Sequence, residues 1–578
     1  MDTLGEQIDS LALGNENVPP KGDAPSKLSG VDDPEEAARL GWTNPIPFDY
    51  AKPDRESRDW AGIAQRYEWD ADYGEVGPPN EELEKQLFRG SLIQRVGDRL
   101  SDLNAYAVRI DSGTTIHPAT KWEDAGLHPV VLENIALCQY NAPTAVQSYA
   151  VPAILAGHDL ISVAQTGSGK TAAFLIPIIS KLMGKTRKLA APRPNTAEGF
   201  NAATDAVRAE PLVLIVCPTR ELATQIFDEA RRLCYRSMLR PCVVYGGAPS
   251  GLQREELQKG CDILIATPGR LLDFMRQTRI LSLCRVRYTV IDEADELLQP
   301  DWEDDFRRIM SGGDINEDAD HHYLMFSATF EKQPQKIAQE YLSDNYVRLR
   351  VGRAGSSHTN VTQHIIYADN DMKMRALYDL IVSMPPVRTL VFVNSRDQVD
   401  FVDDFLYNSG IPSTSIHSGR TQREREDAIR AFRTAKCPVM VATGVSARGL
   451  DVINVLHVIN YDLPSARHGG INEYVHRIGR TARIGNEGLA SSFYNDRNED
   501  LATDLVKSLI ECKQQVPDFL EGFRPEGDVL DFDDGSDDEA VEENGNNTIT
   551  QAAADDDQST SKSTQSHWKA AEDDDIWN

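Results

Sequence analysis

The chain has 578 residues, 40% apolar and 26% charged, which exceeds the roughly 250–300 residues at which a single core stops growing and predicts two domains plus tails. No run of about 18 apolar residues is present to cross a bilayer, and MDTLGEQIDSLALGNENVPP lacks the basic start and apolar stretch of a secretory signal, so no membrane segment is expected and the cytosol or nucleus is the expected location. The net charge of −30 argues against a nucleic-acid partner, but it is concentrated at the ends: residues 1–100 carry −10 and 526–578 carry −15, leaving −5 on the 425 residues between, where a local basic groove remains compatible with the sum.

In chain order, residues 1–100 read as a largely flexible acidic extension in which Trp60, Tyr67, Trp69 and Tyr73 offer aromatic surface to the core or a partner. From about residue 101 to 345, short β-branched runs alternate with amphipathic helical stretches. DLISVAQ, PLVLIVCP, PCVVYGG, CDILIATP, VRYTVIDEAD and HHYLMFSAT each read as a buried strand ending in a polar loop. Between the first two lies KTRKLAAPRPNTAEGFNAATDAVRAE, an exposed insert. Residues 346–363 have the Gly/Ser content of an interdomain linker. The series then restarts over 364–525 with QHIIYAD, TLVFVNS, STSIHSG, PVMVATG, LHVINYD and LASSFYN. Buried strands separated by helices imply parallel sheets, so the predicted fold class is α/β with two tandem sheets flanked by helices. The acidic tail from 526, with Trp568 and Trp577 beside carboxylates, reads as disordered, with the Trp residues as docking elements for protein partners. Eight cysteines without C-x-x-C spacing read as small buried side chains rather than metal or redox ligands.

The chemistry begins at Ala164-Gln165-Thr166-Gly167-Ser168-Gly169-Lys170-Thr171, between the strand LISV and the helical stretch AAFLIPIISKLM. This is the context a phosphate-binding loop requires: glycines let backbone N–H groups converge on phosphate, Lys170 neutralises the outer phosphates and the Thr171 hydroxyl ligates Mg²⁺. It predicts a nucleotide triphosphatase without saying which. Asp292-Glu293-Ala294-Asp295 follows the strand YTVI, where Asp292 can hold Mg²⁺ and Glu293 can orient or deprotonate the attacking water.

With these motifs stand Pro143-Thr144-Ala145-Val146-Gln147, PTRELA (218–223), Gly246-Gly247, TPGR (267–270), Ser327-Ala328-Thr329, VATGVSARGLD (441–451) and HRIGRTAR (476–483). In this order and spacing, from Trp122 to Leu520, the chain resembles the DEAD-box ATP-dependent RNA helicases. INYDLP, EYVHRIGRTAR and KQQVPDFL resemble the Vasa-like branch, which includes translation-initiation and germline helicases.

The resemblance implies two RecA-like P-loop domains with ATP and Mg²⁺ as cofactors. Gln147 would read the adenine edge with Tyr140 stacking on the ring, and Gly449 and Asp451 would meet the ribose. Arg477 and Arg480 would act as arginine fingers on the γ-phosphate, and Asp295, Ser327 and Thr329 would couple the ATP site to the RNA face. Single-stranded and short duplex RNA would be held through its backbone by Pro218, Thr219, Arg220, Glu221, Gly247, Thr267 and Arg270 in the first domain and by Arg396, Gln422, Arg425, Thr443 and Gly444 in the second. The core is expected to be a monomer that closes on RNA with ATP, separates short duplexes and remodels RNA–protein complexes, in the cytoplasm, nucleus or RNA granules. The P-loop alone leaves open a DNA-directed motor, and the tails leave open an ATP-gated RNA clamp. Departures from the family pattern are Ala142, Ala145, Glu296 and Ala482; the last replaces a usual glycine and is comfortable only at φ below zero.

Overall fold

The computed structural model describes residues 61–525 except 71, 89–107, 197–198, 299–301, 312–320, 330–339, 353–359, 448–451, 453, 466–468 and 483–485. The expectations for Trp60, Trp568, Trp577, the first 60 residues and the acidic tail from 526, and for Gly449 and Asp451, lie outside these residues.

All twelve strands expected from the apolar runs are present, in two sheets. The first holds β1 (Val108–Asp111), β2 (Leu160–Ala164), β3 (Val213–Val216), β4 (Pro241–Val244), β5 (Ile263–Ala266), β6 (Tyr288–Asp292), β7 (His322–Ser327) and β8 (Val347–Val351), in the order β1-β8-β2-β7-β6-β3-β5-β4. Only the β1/β8 pair is antiparallel. The second holds β9 (Val361–Tyr367), β10 (Arg388–Val393), β11 (Ser413–Ile416), β12 (Val439–Thr443), β13 (Val455–Asn460) and β14 (Gly488–Tyr494), in the order β11-β12-β10-β13-β14-β9, parallel throughout. Strands such as VLIV and ILIA are buried along their whole length because helices cover both faces of a parallel sheet. Those helices start on polar caps: Thr219 Oγ1 accepts the Leu222 N–H ahead of Arg220–Leu233, and Thr421 forms a capping box with Glu424 ahead of Gln422–Arg433. In Arg220–Leu233 the buried positions Leu222, Ala223, Ile226, Phe227, Ala230 and Leu233 keep the helical period that turns one stripe onto the sheet.

Two boundaries differ from the sequence reading. The segment 346–363 is not simply a linker, because β8 at its start inserts between β1 and β2 and β9 at its end forms the edge of the second sheet. In VRLRV, residues 347, 349 and 351 are buried and the two arginines half-buried, the alternation of a strand with one covered face. The second difference is in the N-terminal extension, whose described part is fastened to the first lobe. Tyr67, Leu83 and Leu87 are buried around Tyr235, with Tyr67 edge-on to it at 5.5 Å. Arg66 is 5% exposed and donates to the Pro241 carbonyl at 2.6 Å and to Glu256 at 2.8 Å, sharing that carboxylate with Arg240. Because β4 is a sheet edge, this strap also covers carbonyls that would otherwise face solvent. The insert after residue 184 returns to the body through Val207 N–H to Gln258 O and Ala209 N–H to Ile280 O, both 2.9 Å. Six of the eight cysteines are buried. Among the described residues no helix is long and apolar enough to cross a membrane.

Candidate ATP cleft and RNA face between the lobes

The phosphate loop, Asp292–Asp295, PTRELA, Gly246-Gly247 and TPGR lie at the carboxyl ends of parallel strands, where loops of an open α/β sheet form binding crevices, whereas Gln147 lies in the first turn of the helix Ala145–Leu155 and Arg477 near the end of the helix Gly470–Ile478. After β2 the chain turns through Gly167 (φ 76°) and Gly169 (φ 88°) into the helix Lys170–Met183. These left-handed angles are what the glycines contribute. Lys170 is buried and donates from Nζ to the Ala164 carbonyl at 2.7 Å. Burial lowers its pKa, and the Asp292, Asp295 and Glu293 carboxylates oppose that shift. Thr144 Oγ1 donates to Ser168 O at 2.7 Å, while Gln147 accepts the Thr144 N–H at 2.9 Å and donates to Gly169 O at 3.0 Å. The Gln147 amide thus braces the phosphate loop with both ends engaged, and reading adenine would require exchanging these bonds. Tyr140 packs its ring against the core and donates its hydroxyl to Glu229.

Asp292 ends β6. Burial, and then the neighbouring Glu293 charge, push its pKa up to about 7. Glu293 sits in the left-handed region (φ 53°, ψ 53°), a strained conformation for a side-chain-bearing residue, and its Oε2 is buried with no hydrogen-bond partner among the described residues. Asp295 accepts from both the Thr329 N–H (3.1 Å) and its hydroxyl (2.9 Å), and Ser327 donates to the Thr329 carbonyl. Crowded buried carboxylates with an unsatisfied oxygen suit a divalent cation, which relieves their repulsion. Asp292, with Thr171 across the phosphate loop, would hold Mg²⁺.

The second lobe reaches this place through the helix Gly470–Ile478 and the turn after it. A cleft is lined by Thr166, Lys170, Glu293, Asp295, Glu296 and Ala328 from the first lobe and by His476 and Arg480 from the second. His476 Nε2 lies 3.9 Å from Asp295 Oδ2, and Arg480 donates from Nε to the His476 carbonyl at 3.0 Å. Arg477 does not enter the cleft, contrary to the expectation of two fingers. It donates to Glu473 (3.0 Å), Asn394 Oδ1 (2.9 Å) and the Asp462 carbonyl (2.8 Å), and lies over the Phe392 ring. Position separates them: His476 on the helix and Arg480 in the turn just past its end face the first lobe, while Glu473 and Arg477, four apart on the helix, face the second sheet.

On the other side of the junction, four residues expected to hold RNA hold one another. Arg220 donates to Gln422 Oε1 at 2.7 Å, and Arg425 pairs with Glu221 at 2.6 Å with both side chains nearly buried. Tyr245 adds a bond to Glu426 at 3.3 Å. A carboxylate repels phosphate, so Glu221 is better accounted for as the partner of Arg425. The remaining expected contacts ring this seam at strand ends. Pro218 and Thr219 follow β3, exposed Gly247 follows β4, and Thr267 and Arg270 follow β5, with Arg270 donating to Ala248 O at 3.3 Å. Exposed Arg396 follows β10, Thr443 ends β12 and Gly444 follows it.

Residues 144–337 match the DEAD/DEAH box helicase family, and residues 372–485 match the helicase conserved C-terminal domain, together more than half of the chain. The chain belongs to the DEAD/DEAH box helicase family. Its activity is that of an ATP-dependent RNA helicase, an RNA-dependent ATPase working with Mg²⁺. Among solved structures it is similar to a Saccharomyces cerevisiae Dbp5 variant bound to RNA and ADP-BeF3, at 25% identity over 70% of this chain and 97% of that one, TM-score 0.57. The S. cerevisiae Dbp5 variant bound to Gle1 and IP6 is similar at 25% identity over 68% of this chain and 92% of that one, TM-score 0.54. Mss116p bound to single-stranded RNA and AMP-PNP shares the fold, at 24% identity over 70% and 87% of the two chains, TM-score 0.55.

Within that family frame, His476, which faces Asp295 and lines the cleft beside Arg480, was not among the site residues expected from the sequence. Glu296, noted only as a departure from the family pattern, lines the cleft and adds a carboxylate to it. Ala482 was expected to need a negative φ; it is buried at φ 56°.

Proposed function

We propose that this helicase closes its two lobes on single-stranded RNA when ATP binds, separating short duplexes locally and remodelling RNA–protein complexes. The observation that carries this reading is the shared lining of the cleft: Lys170, Glu293 and Asp295 from one lobe, His476 and Arg480 from the other. Lys170 neutralises the outer phosphates, Glu293 orients the attacking water, and Arg480 supplies a planar guanidinium to charge spreading over the phosphoryl oxygens. Thr171 and Asp292 would hold Mg²⁺, which would offset the negative charge of the phosphates. Hydrolysis depends on closure because part of the site arrives with the second lobe. ATP and RNA, each favouring the closed state, then bind with positive coupling. The backbone-facing groups at Pro218, Thr219, Gly247, Thr267, Arg270, Arg396, Thr443 and Gly444 give little sequence preference.

Glu293→Gln should retain ATP and RNA binding but turn over about a hundredfold or more slowly, and Lys170→Ala should lose ATP binding. Steady-state ATPase with equilibrium binding checks both, and normal turnover by Glu293→Gln would remove the water-orienting role. The stretches INYDLP, EYVHRIGRTAR and KQQVPDFL further support placement in the Vasa-like branch, with a cytoplasmic role in translation initiation or germline RNA control and with protein partners reading the Trp-containing acidic ends. Sequencing RNA crosslinked to the protein in cells tests that assignment, and absence of messenger RNA from the bound set would overturn it.

A further inference from the structure

The strongest unexplained feature of the second lobe is the placement of Arg477. A guanidinium only 3% exposed is costly to bury unless its N–H groups are all directed to acceptors. Here the acceptors come from three separate pieces of chain. Glu473 is on the same helix, one turn back. Asn394 follows β10, two residues before Arg396, and its own N–H is bonded to Asp462 Oδ2 at 3.2 Å. Asp462 follows β13 and is paired with Lys373 at 3.0 Å. A fourth piece leans on the pair: a Cβ added to Gly444, directly after β12, would overlap the Glu473 carboxylate and come within 3.1 Å of Arg477 Nη2. The other end of the device is the cleft, since the Arg480 N–H is bonded to the Arg477 carbonyl at 3.1 Å.

We propose that Arg477 is a positioning residue that clamps the helix Gly470–Ile478 to the two RNA-facing strand ends of its own lobe, after β10 and β12, so that engagement of RNA there fixes where Arg480 lies in the ATP cleft. This rests on the reading of Arg480 as the group acting on the phosphate. Direct phosphate contact by Arg477 would instead break three bonds and take the guanidinium away from Glu473, a carboxylate itself only 3% exposed. Lysine cannot replace the device, because a single ammonium does not reproduce a planar fork aimed at three acceptors.

The test is steady-state ATPase of the full-length protein, titrated with ATP and with poly(U) RNA, for Arg477→Lys, Glu473→Gln, the double variant, Gly444→Ala and Arg480→Ala. A misplaced finger costs up to about a hundredfold in rate, so Arg477→Lys should lower kcat at saturating poly(U) by about ten- to a hundredfold. Its KM for ATP should stay within about threefold, because nucleotide binding itself is untouched. Its RNA-free rate should fall less, so that stimulation by poly(U) shrinks. The double variant should be no worse than the poorer single, since both substitutions dismantle one device. Gly444→Ala and Glu473→Gln strain the same pair without removing the arginine and should reproduce the loss of kcat, which keeps the test decisive even where Arg477→Lys folds poorly. Full poly(U) stimulation in Arg477→Lys, multiplicative effects in the double variant, or a raised KM for ATP at unchanged kcat would each overturn the proposal. Inactive Arg480→Ala beside fully stimulated Arg477→Lys would overturn it while leaving the finger reading intact, whereas fully active Arg480→Ala would overturn both.

Discussion

The two lobes meet in two places that are built differently. At the RNA-side seam opposite charges already pair, with Arg425 on Glu221 at 2.6 Å and Arg220 on Gln422 at 2.7 Å. In the ATP cleft the first lobe gathers carboxylates around Lys170, with Asp292 pushed up to about 7 and a Glu293 oxygen without a hydrogen-bond partner among the described residues. The seam's opposite charges are thus matched within the protein, although Glu221 Oε1 and Arg425 Nε make no hydrogen bond among the described residues, and the cleft becomes favourable when phosphate and a divalent cation join it. Such an arrangement lets the seam set the closed geometry and leaves ATP to decide when that geometry is populated.

Breaking the seam should have the largest effect on coupling between the two ligands. Arg425→Ala leaves Glu221 nearly buried and alone in the closed state, at a cost of about 2–5 kcal/mol. The increase in RNA affinity produced by a non-hydrolysable ATP analogue should then drop at least about tenfold, as read by fluorescence anisotropy. Unchanged coupling would mean that the seam is incidental.

Away from both junctions, Arg66→Ala should destabilise the first lobe by roughly 3 kcal/mol through loss of a buried, multiply bonded guanidinium, while leaving the second lobe's transition in place. Urea unfolding checks this. The Glu256 that Arg66 meets has its pKa lowered from 4.5 by the Arg66 and Arg240 charges, against burial that raises it. The sign follows: its stabilisation is complete above pH 4.5 and is lost as pH falls through the lower folded-state pKa, so acid should narrow the difference between Arg66→Ala and the parent. The smallest effect is expected at Ala482, where glycine would relieve a left-handed φ. Ala482→Gly should stabilise the second lobe by up to about 1 kcal/mol, a few degrees at most in Tm, and destabilisation would show that the methyl's packing outweighs the strain.

Much of the site was legible because its chemistry is local. The phosphate loop, the Asp292 strand end and twelve buried strands are each contiguous stretches whose residue types dictate their backbone. What escaped notice depends on phase and on pairing between distant segments. The arginines of HRIGRTAR look equivalent as letters, yet Arg477, in the last helical turn, reaches into the second lobe, and Arg480, in the turn beyond the helix, reaches into the cleft. VRLRV read as linker because its two arginines hide an alternating strand that forms only between β1 and β2. Glu221 read as an RNA contact because its partner Arg425 lies 204 residues further along the chain. The strap at Arg66 and Tyr67 was hidden for the same reason: an acidic stretch with scattered aromatics looks unfolded until its buried ion pair with Glu256 is seen.

The central claim, that a guanidinium from one lobe completes the phosphate site of the other, is tested most directly at Arg480. Arg480→Ala should bind a fluorescent ATP analogue and RNA within a few-fold of the parent, turn over roughly a thousandfold more slowly, and recover part of its rate when guanidinium ion is added. Parental turnover by Arg480→Ala, with or without added guanidinium, would contradict the account.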